Sequence, residues 1–420
     1  MATAAPLPRH VSLDVVRGIA VMGILLMNIV AFAMPSPAYF NPTAFGGDGA
    51  LDIAVWGANF VLADGKMRGL FSVLFGASML LVIERAEAKG ENGALTHFSR
   101  MTWLLLFGAI HAYAIWFGDI LMLYAVVGLI AFFFRAMETH RLVILGLILI
   151  VIEAIIMGQF AFSFWQLRAA ALPPGAEAAT IAAWAEMNAA FGPLATDALA
   201  ENLALYRGGY GGIVADRLGP HFWAPIANNL FWMPETLGLM LLGMAGLKSG
   251  FLTGRWERAR YLRYALRGYL IGLPLQMLLA LWILLSGFEL AALITADFAL
   301  QTLVNPFVVL GHAGLILYWV KSAGESAMRE RVAAAGRAAF SNYLGTSIVC
   351  TFIFYGYGLG LYGEISRAAL YIVVFGVWAL ILLWSKPWLD RFRYGPLEWL
   401  WRSLARRQFQ PLWRIKTIAT

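Results

Sequence analysis

Ten long apolar stretches, separated by clusters of arginine, run along the chain at 12–34, 66–84, 100–117, 119–135, 141–165, 222–247, 261–285, 293–320, 338–357 and 367–385. They are about 18–25 residues long, the length an α-helix needs to cross hydrocarbon. None alternates apolar with polar residues at period two, so helices are predicted in place of a closed barrel. The stretch 51–64 is shorter and reads as interfacial or re-entrant. Only Gly118 and Asp119 separate the third stretch from the fourth, which predicts a tight helical hairpin.

The pattern therefore predicts an all-α polytopic integral membrane protein of about ten transmembrane helices. Residues 1–165 form an N-terminal half with helices one to five, and 222–386 a C-terminal half with helices six to ten. Between them, 166–221 is the longest polar insertion, expected as a short amphipathic helix plus a loop. Residues 387–420, basic and rich in tryptophan, read as a cytoplasmic interfacial tail. Arg9 precedes the first apolar run as in a signal peptide. That run reaches about Met34 with no small-residue cleavage site, so it is expected to stay as the first helix.

With both ends inside, the outer face collects Lys66, Arg68, Arg168, Arg207, Arg217 and Arg367, six of 31 basic residues. That asymmetry sets an N-in, C-in orientation with the insertion outside. Charged residues make up 13% and hydrophobic residues 61% of the chain, against roughly 25% charged in soluble domains. The net charge of +7 sits at helix ends, a placement that anchors topology and does not indicate nucleic acid. One cysteine, Cys350, excludes an internal disulfide. No metal-ligand spacing is present, so no metal site is expected.

Polar groups inside such spans are costly, and each is a candidate site residue. His111 falls about 16 Å from the cytoplasmic start of its helix. Asp119 follows eight residues later, about two helical turns on, which is expected to bring it to the same helix face. A carboxylate beside an imidazole raises its basicity and fixes its tautomer, as a general base for acyl transfer requires. Tyr124 closes the same stretch and is a substrate-side candidate. His312 lies between Gly311 and Ala313, where small neighbours permit close helix packing or leave room for a ligand. Glu235, after Pro234, and Glu153 read equally as packing groups or site residues.

At the start of the first span, Asp14 and Arg17 are spaced to pair on one helix face. Arg17 would then stand at the cytoplasmic mouth, ready for a phosphate or carboxylate, or serve simply as an anchor. Asn28 lies deeper on that span and needs a partner, whether a helix or a substrate.

These stretches resemble the YeiB-like family, domain of unknown function 418. The resemblance rests on Arg9–Asn28 (RHVSLDVVRGIAVMGILLMN), Leu70–Gly76 (LFSVLFG), His111–Tyr124, Leu237–Gly250 (LGLMLLGMAGLKSG), Gly336–Tyr343 (GRAAFSNY) and Gly395–Arg402 (GPLEWLWR). The opening D-x-x-R-G is in turn similar to transmembrane acyltransferases of the heparan-α-glucosaminide N-acetyltransferase and type-three kinds. Those enzymes move an acyl group from a cytoplasmic donor, usually acetyl-CoA, by means of a histidine. This sequence departs from them. Asn28 stands where the type-three family has its first-helix histidine, and the first outer loop holds none.

The resemblance implies an inner-membrane acyltransferase with acyl-CoA as co-substrate, nothing bound covalently, and a small-molecule, lipid or glycan acceptor. Arg17, Arg337 and Asp14 would hold the donor. His111, Asp119 and His312 would be catalytic, and Asn28, Tyr124, Glu235, Asn342 and Tyr343 would face substrate. Two alternatives stay open: a small-molecule exporter with a proton-coupled polar path, and a scaffold for a biosynthetic complex. A homodimer through small-residue faces is a further expectation.

Overall fold

Each of the ten apolar stretches carries helix in a computed structural model that describes residues 11–414 apart from position 325. Arg9 and residues 415–420 lie outside the described residues. In chain order the α-helices of eight residues or more are α1 (Val11–Ala33), α2 (Ala50–Leu62), α3 (Lys66–Glu87), α4 (Gly93–Ile110), α5 (Leu121–Ala131), α6 (Thr139–Ala171) and α7 (Ala178–Phe191). They continue with α8 (Thr196–Tyr206), α9 (Tyr210–Leu218), α10 (Ala224–Phe231), α11 (Met233–Lys248), α12 (Arg258–Leu285) and α13 (Gln301–Ser322). The last are α14 (Ala327–Arg337), α15 (Ala339–Phe354), α16 (Leu370–Arg391) and α17 (Pro396–Ala405).

This is a helical membrane protein. Among the described residues, six helical segments are long and apolar enough to cross a bilayer, or seven if the bent pair α10–α11 is one span. The outermost of them turn aliphatic side chains outward, including Ile148, Ile152 and Ile155 on α6 and Leu270, Leu278 and Leu285 on α12. Lipid is as apolar as these side chains, so what joins the helices is close packing. Glycines provide it. A Cβ on Gly18 would lie 2.1 Å from Val332 O, and one on Gly336 would lie 1.8 Å from Asp14 O, which locks α1 against α14. Gly76 and Gly243 do the same for α3 and α11.

Three expectations are corrected. The chain does not carry Asp119 onto the helix face of His111. Helix α4 ends in a π-turn over His111–Ile115, and Trp116 is extended at φ −155 and ψ 132. The backbone therefore reverses before Asp119. The insertion 166–221 is not one helix and a loop but the end of α6 followed by α7, α8 and α9, as its alanine-rich composition favours. The tail begins later than 387, because α16 continues to Arg391. Beyond it α17 folds back onto α4, where Trp401 Nε1 donates to Arg100 O at 2.9 Å and Ser99 Oγ to Ala405 O at 2.8 Å.

The expected outer-face cations are only partly at a surface. Lys66, Arg217 and Arg367 are buried. Lys66 donates to Phe60 O and Arg367 to Ala38 O. Arg68 pairs with the buried Glu235 at 2.5 Å.

Candidate functional site

A cavity of about 510 Å³ opens between the start of α1, the end of α3, the starts of α4 and α15, and the tail helix α17. Its volume lies in the range of small-molecule sites. Arg17, Arg85, Arg100, Arg337, Arg393 and Arg402 line it, against the carboxylates of Asp14 and Glu398. Farther in, the walls turn apolar and aromatic, through Phe71, Leu74, Phe75, Met101 and Leu104, and end at Tyr124 and Tyr343. One end is cationic and the other greasy.

Arg17 is held in place by its neighbours. It pairs with Asp14 at 3.2 Å, donates to Ser78 Oγ at 2.6 Å and reaches Gly336 O at 3.4 Å. The α1–α14 crossing at Gly18 and Gly336 thus sets the position of Arg17 and brings Arg337 to the same wall. His97, in the first turn of α4, also lines the cavity. Its Nε2 faces Gly128 O at 2.9 Å. A carbonyl only accepts, so Nε2 carries the proton and the neutral ring keeps Nδ1 as an acceptor.

Glu398 closes the side of the tail helix α17. Its Oε1 accepts from Phe340 N at 2.7 Å and Ser341 N at 3.1 Å, and its Oε2 accepts from Ser341 Oγ at 2.6 Å. The carboxylate so caps the N-terminus of α15 from another helix. Burial raises the Glu398 carboxyl above its ordinary value of 4.5, opposed by these hydrogen bonds. Burial also lowers the nearby Arg402 guanidinium below its usual range.

Beneath the apolar end lies a buried polar chain. Asp119 Oδ1 stands 2.8 Å from His111 Nδ1, and His111 Nε2 stands 2.9 Å from Ser347 Oγ. His111 and Asp119 side chains are fully buried, and Ser347 is 1% exposed. Asp119 Oδ2 also accepts from Met122 N at 2.8 Å, so the same carboxylate caps α5. With Nδ1–H donating to the carboxylate, Nε2 is left to accept from the serine hydroxyl, whose other acceptor is the more distant Tyr343 O at 3.4 Å. That is the arrangement in which an imidazole takes a proton from a hydroxyl. Tyr343 separates this chain from the cavity. Its ring centroid lies 5.2 Å from that of His111. Its hydroxyl is held by two long bonds of 3.3 Å, to Gly118 O and from Ile120 N.

The fold thus brings Asp14, Arg17, Arg337, Tyr124 and Tyr343 to one cavity, with His111 and Asp119 behind its floor. It does not bring the remaining candidates there. His312 accepts from Tyr269 Oη at 2.7 Å and donates to Leu62 O at 2.8 Å, so both ring nitrogens serve packing of α12, α13 and α2. Asn342 donates to Ala335 O and Ser385 Oγ and accepts from Trp384 Nε1, tying α14, α15 and α16 together. Glu235 is occupied by Arg68, and Glu153 Oε2 accepts from Glu235 N at 3.4 Å. Asn28 is half-buried on α1 and outside the cavity lining.

Ser347, His97, Glu398 and the arginines at 85, 100, 393 and 402 escaped the reading of the sequence. The arginines carried a signal, as clustered charge at helix ends, but topology anchoring explains that signal equally well. Ser347 is one of several hydroxyls in an apolar run, beside Thr346 and near Thr351, and nothing in the pattern singles it out.

Comparison with known proteins places this architecture among relatives of similar length. Residues 247–408 match the model of a protein family of unknown function, DUF418. The chain is 33% identical to YxaH of Bacillus subtilis (strain 168) over 411 residues, 95% of each chain. It is 32% identical to YeiB of Escherichia coli (strain K12) over 415 residues, 96% of this chain and 98% of YeiB. A 39.9 kDa protein encoded in the amylase 3′ region of Bacillus acidopullulyticus is 23% identical over 402 residues. No solved structure matches.

Proposed function

The chain belongs to the YeiB-like DUF418 family, and we propose that it is an inner-membrane acyltransferase that takes an acyl group from a cytoplasmic acyl-CoA. The observation that carries this reading is the cavity with arginines at one end and an apolar bore at the other, whose floor, Tyr343, touches His111. A phosphorylated thioester has the matching polarity, anionic at its nucleotide end and apolar at its acyl end. Arg17 and Arg337 would bind the phosphates as charge-assisted donors. The chain would cross the membrane ten times with both ends in the cytoplasm, so that the cavity opens to the donor.

In this mechanism Tyr343 moves aside and the thioester carbonyl reaches Ser347. His111 takes the Ser347 proton as the oxygen attacks. The tetrahedral intermediate expels the CoA thiolate, which leaves with the proton from the imidazolium. The acyl group is then an ester on Ser347. An acceptor hydroxyl or amine reverses the sequence from the other side, giving its proton to His111 and releasing Ser347. Asp119 holds the imidazole tautomer and offsets its charge.

The test is labelled acetyl-CoA on purified protein in detergent. Saturable binding that weakens in Arg17→Ala, and covalent label that is lost in Ser347→Ala and His111→Ala, support the reading. Failure to bind acetyl-CoA or longer acyl-CoAs overturns it. Proton-linked flux in sealed vesicles would then favour export.

A further inference from the structure

Arg217 is 4% exposed, and its three guanidinium nitrogens all lack a hydrogen-bond partner. It sits on α9 one turn after Ile213, also buried, so this face of the helix is pressed into the protein. Its nearest polar neighbours are the hydroxyls of Tyr206 and Tyr355, close to it but out of hydrogen-bond geometry, with ring centroids 5.0 Å apart. Phenols are neutral at neutral pH and leave the guanidinium charge unbalanced. The hydroxyl of Tyr355 is itself buried without a partner. Asp216, adjacent in the chain, is engaged by His221 at 3.0 Å. A buried charge kept in this state is costly unless something pairs with it.

Around the start of α9 the packing is open: a Cβ at Gly209, Gly211 or Gly212 would meet nothing within 4 Å. The helix also abuts the π-turn that begins at His111, because Tyr210 Oη donates to Ala114 O at 2.8 Å. Tyr355 follows the end of α15, whereas Ala339, Phe340 and Tyr343 near its start line the arginine-rich cavity. The two sites therefore approach the His111–Ser347 pair from opposite ends of one helix.

We propose that Arg217, with Tyr206 and Tyr355, binds an oxyanion, carboxylate or phosphate, carried by a second ligand. That this ligand is the acyl acceptor rests on the acyl-transfer reading; the anion site itself does not. Guanidinium supplies planar paired donors for such a group, and the Tyr355 hydroxyl supplies another.

Thermal unfolding of the purified full chain tests it, with inorganic phosphate or acetate added at constant ionic strength. Wild type, Arg217→Met, Arg217→Lys and Arg17→Ala are compared, the last removing a contact of the other cavity. The expected result is a saturable rise in Tm in wild type and Arg17→Ala, part of that rise in Arg217→Lys and none in Arg217→Met. Ligand-free Arg217→Met should melt no lower than wild type, because an unpaired charge has been removed. Which anion acts at lower concentration tells carboxylate from phosphate. A rise in Tm that is unchanged in Arg217→Met, or absent from both wild type and Arg17→Ala, overturns the proposal. Failure of acetyl-CoA binding would overturn the acyl-transfer reading and leave this response intact.

Discussion

His111 Nε2 lies 2.9 Å from Ser347 Oγ, across 236 residues of sequence. The contact joins the π-turn after α4 to the middle of α15 and turns the His111–Asp119 pair into a chain of three groups. It gives the imidazole a hydroxyl to deprotonate and a carboxylate to orient it, at a fully buried position.

Asp119→Asn tests the direction of that chain. The amide would donate toward Nδ1 and force the proton onto Nε2, which then cannot accept from Ser347. Covalent labelling by acetyl-CoA should fall about 10²–10⁴-fold, the usual worth of a general base, with acetyl-CoA binding retained. Labelling at the wild-type rate would remove His111 from the mechanism.

Gly18, at the crossing of α1 and α14, should control the cavity without lining it. Gly18→Ala places a methyl group 2.1 Å from Val332 O, backbone that cannot rotate away. The helices must separate, at a cost of about 1–3 kcal/mol, and Arg17 loses its register with Ser78 and Gly336. Both Tm and acetyl-CoA affinity should fall. Gly57→Ala, where a Cβ meets nothing within 4 Å, is the control and should change neither.

Arg17→Ala should weaken acetyl-CoA binding about 10–100-fold, from charge-assisted hydrogen bonds worth about 1.5–3 kcal/mol. Arg17→Lys keeps the charge but loses the fork that reaches Asp14 and Ser78 together, so it should recover only part of the affinity. Isothermal titration at two salt concentrations checks this, and wild-type affinity should fall with salt more steeply than that of Arg17→Ala.

What the sequence made legible follows from the range of the forces involved. Lipid requires helices about 18 residues or longer, so the helical stretches could be read directly. His111 and Asp119 are eight residues apart and meet locally, although through a chain reversal and not along one helix face. Ser347 meets them only through tertiary packing and left no trace in the pattern. The small residues around His312 serve a neighbour, since a Cβ on Gly311 would lie 2.5 Å from the Tyr269 ring. The arginines at helix ends were read as anchors because charge placement serves orientation and ligand binding alike.

The tail helix α17 should respond to pH through Glu398. Burial raises its carboxyl in the folded protein above the ordinary value of 4.5. Between the two values the folded protein holds more protons than the unfolded chain, so stability falls as pH rises. Its contribution is full below about pH 4.5 and is lost as pH climbs through the raised value. Docking of α17 over the cavity should therefore loosen on going from acid toward neutral pH. Hydrogen exchange of residues 396–405 measures it. Glu398→Gln keeps an oxygen to accept from Phe340 N and Ser341 N but does not titrate, so its exchange should be flat with pH once the intrinsic rate is divided out. Glu398→Ala loses the hydrogen bonds altogether, at about 1–3 kcal/mol for the unsatisfied donors, and should exchange fast throughout. An equal pH slope in wild type and Glu398→Gln would assign the response to another group.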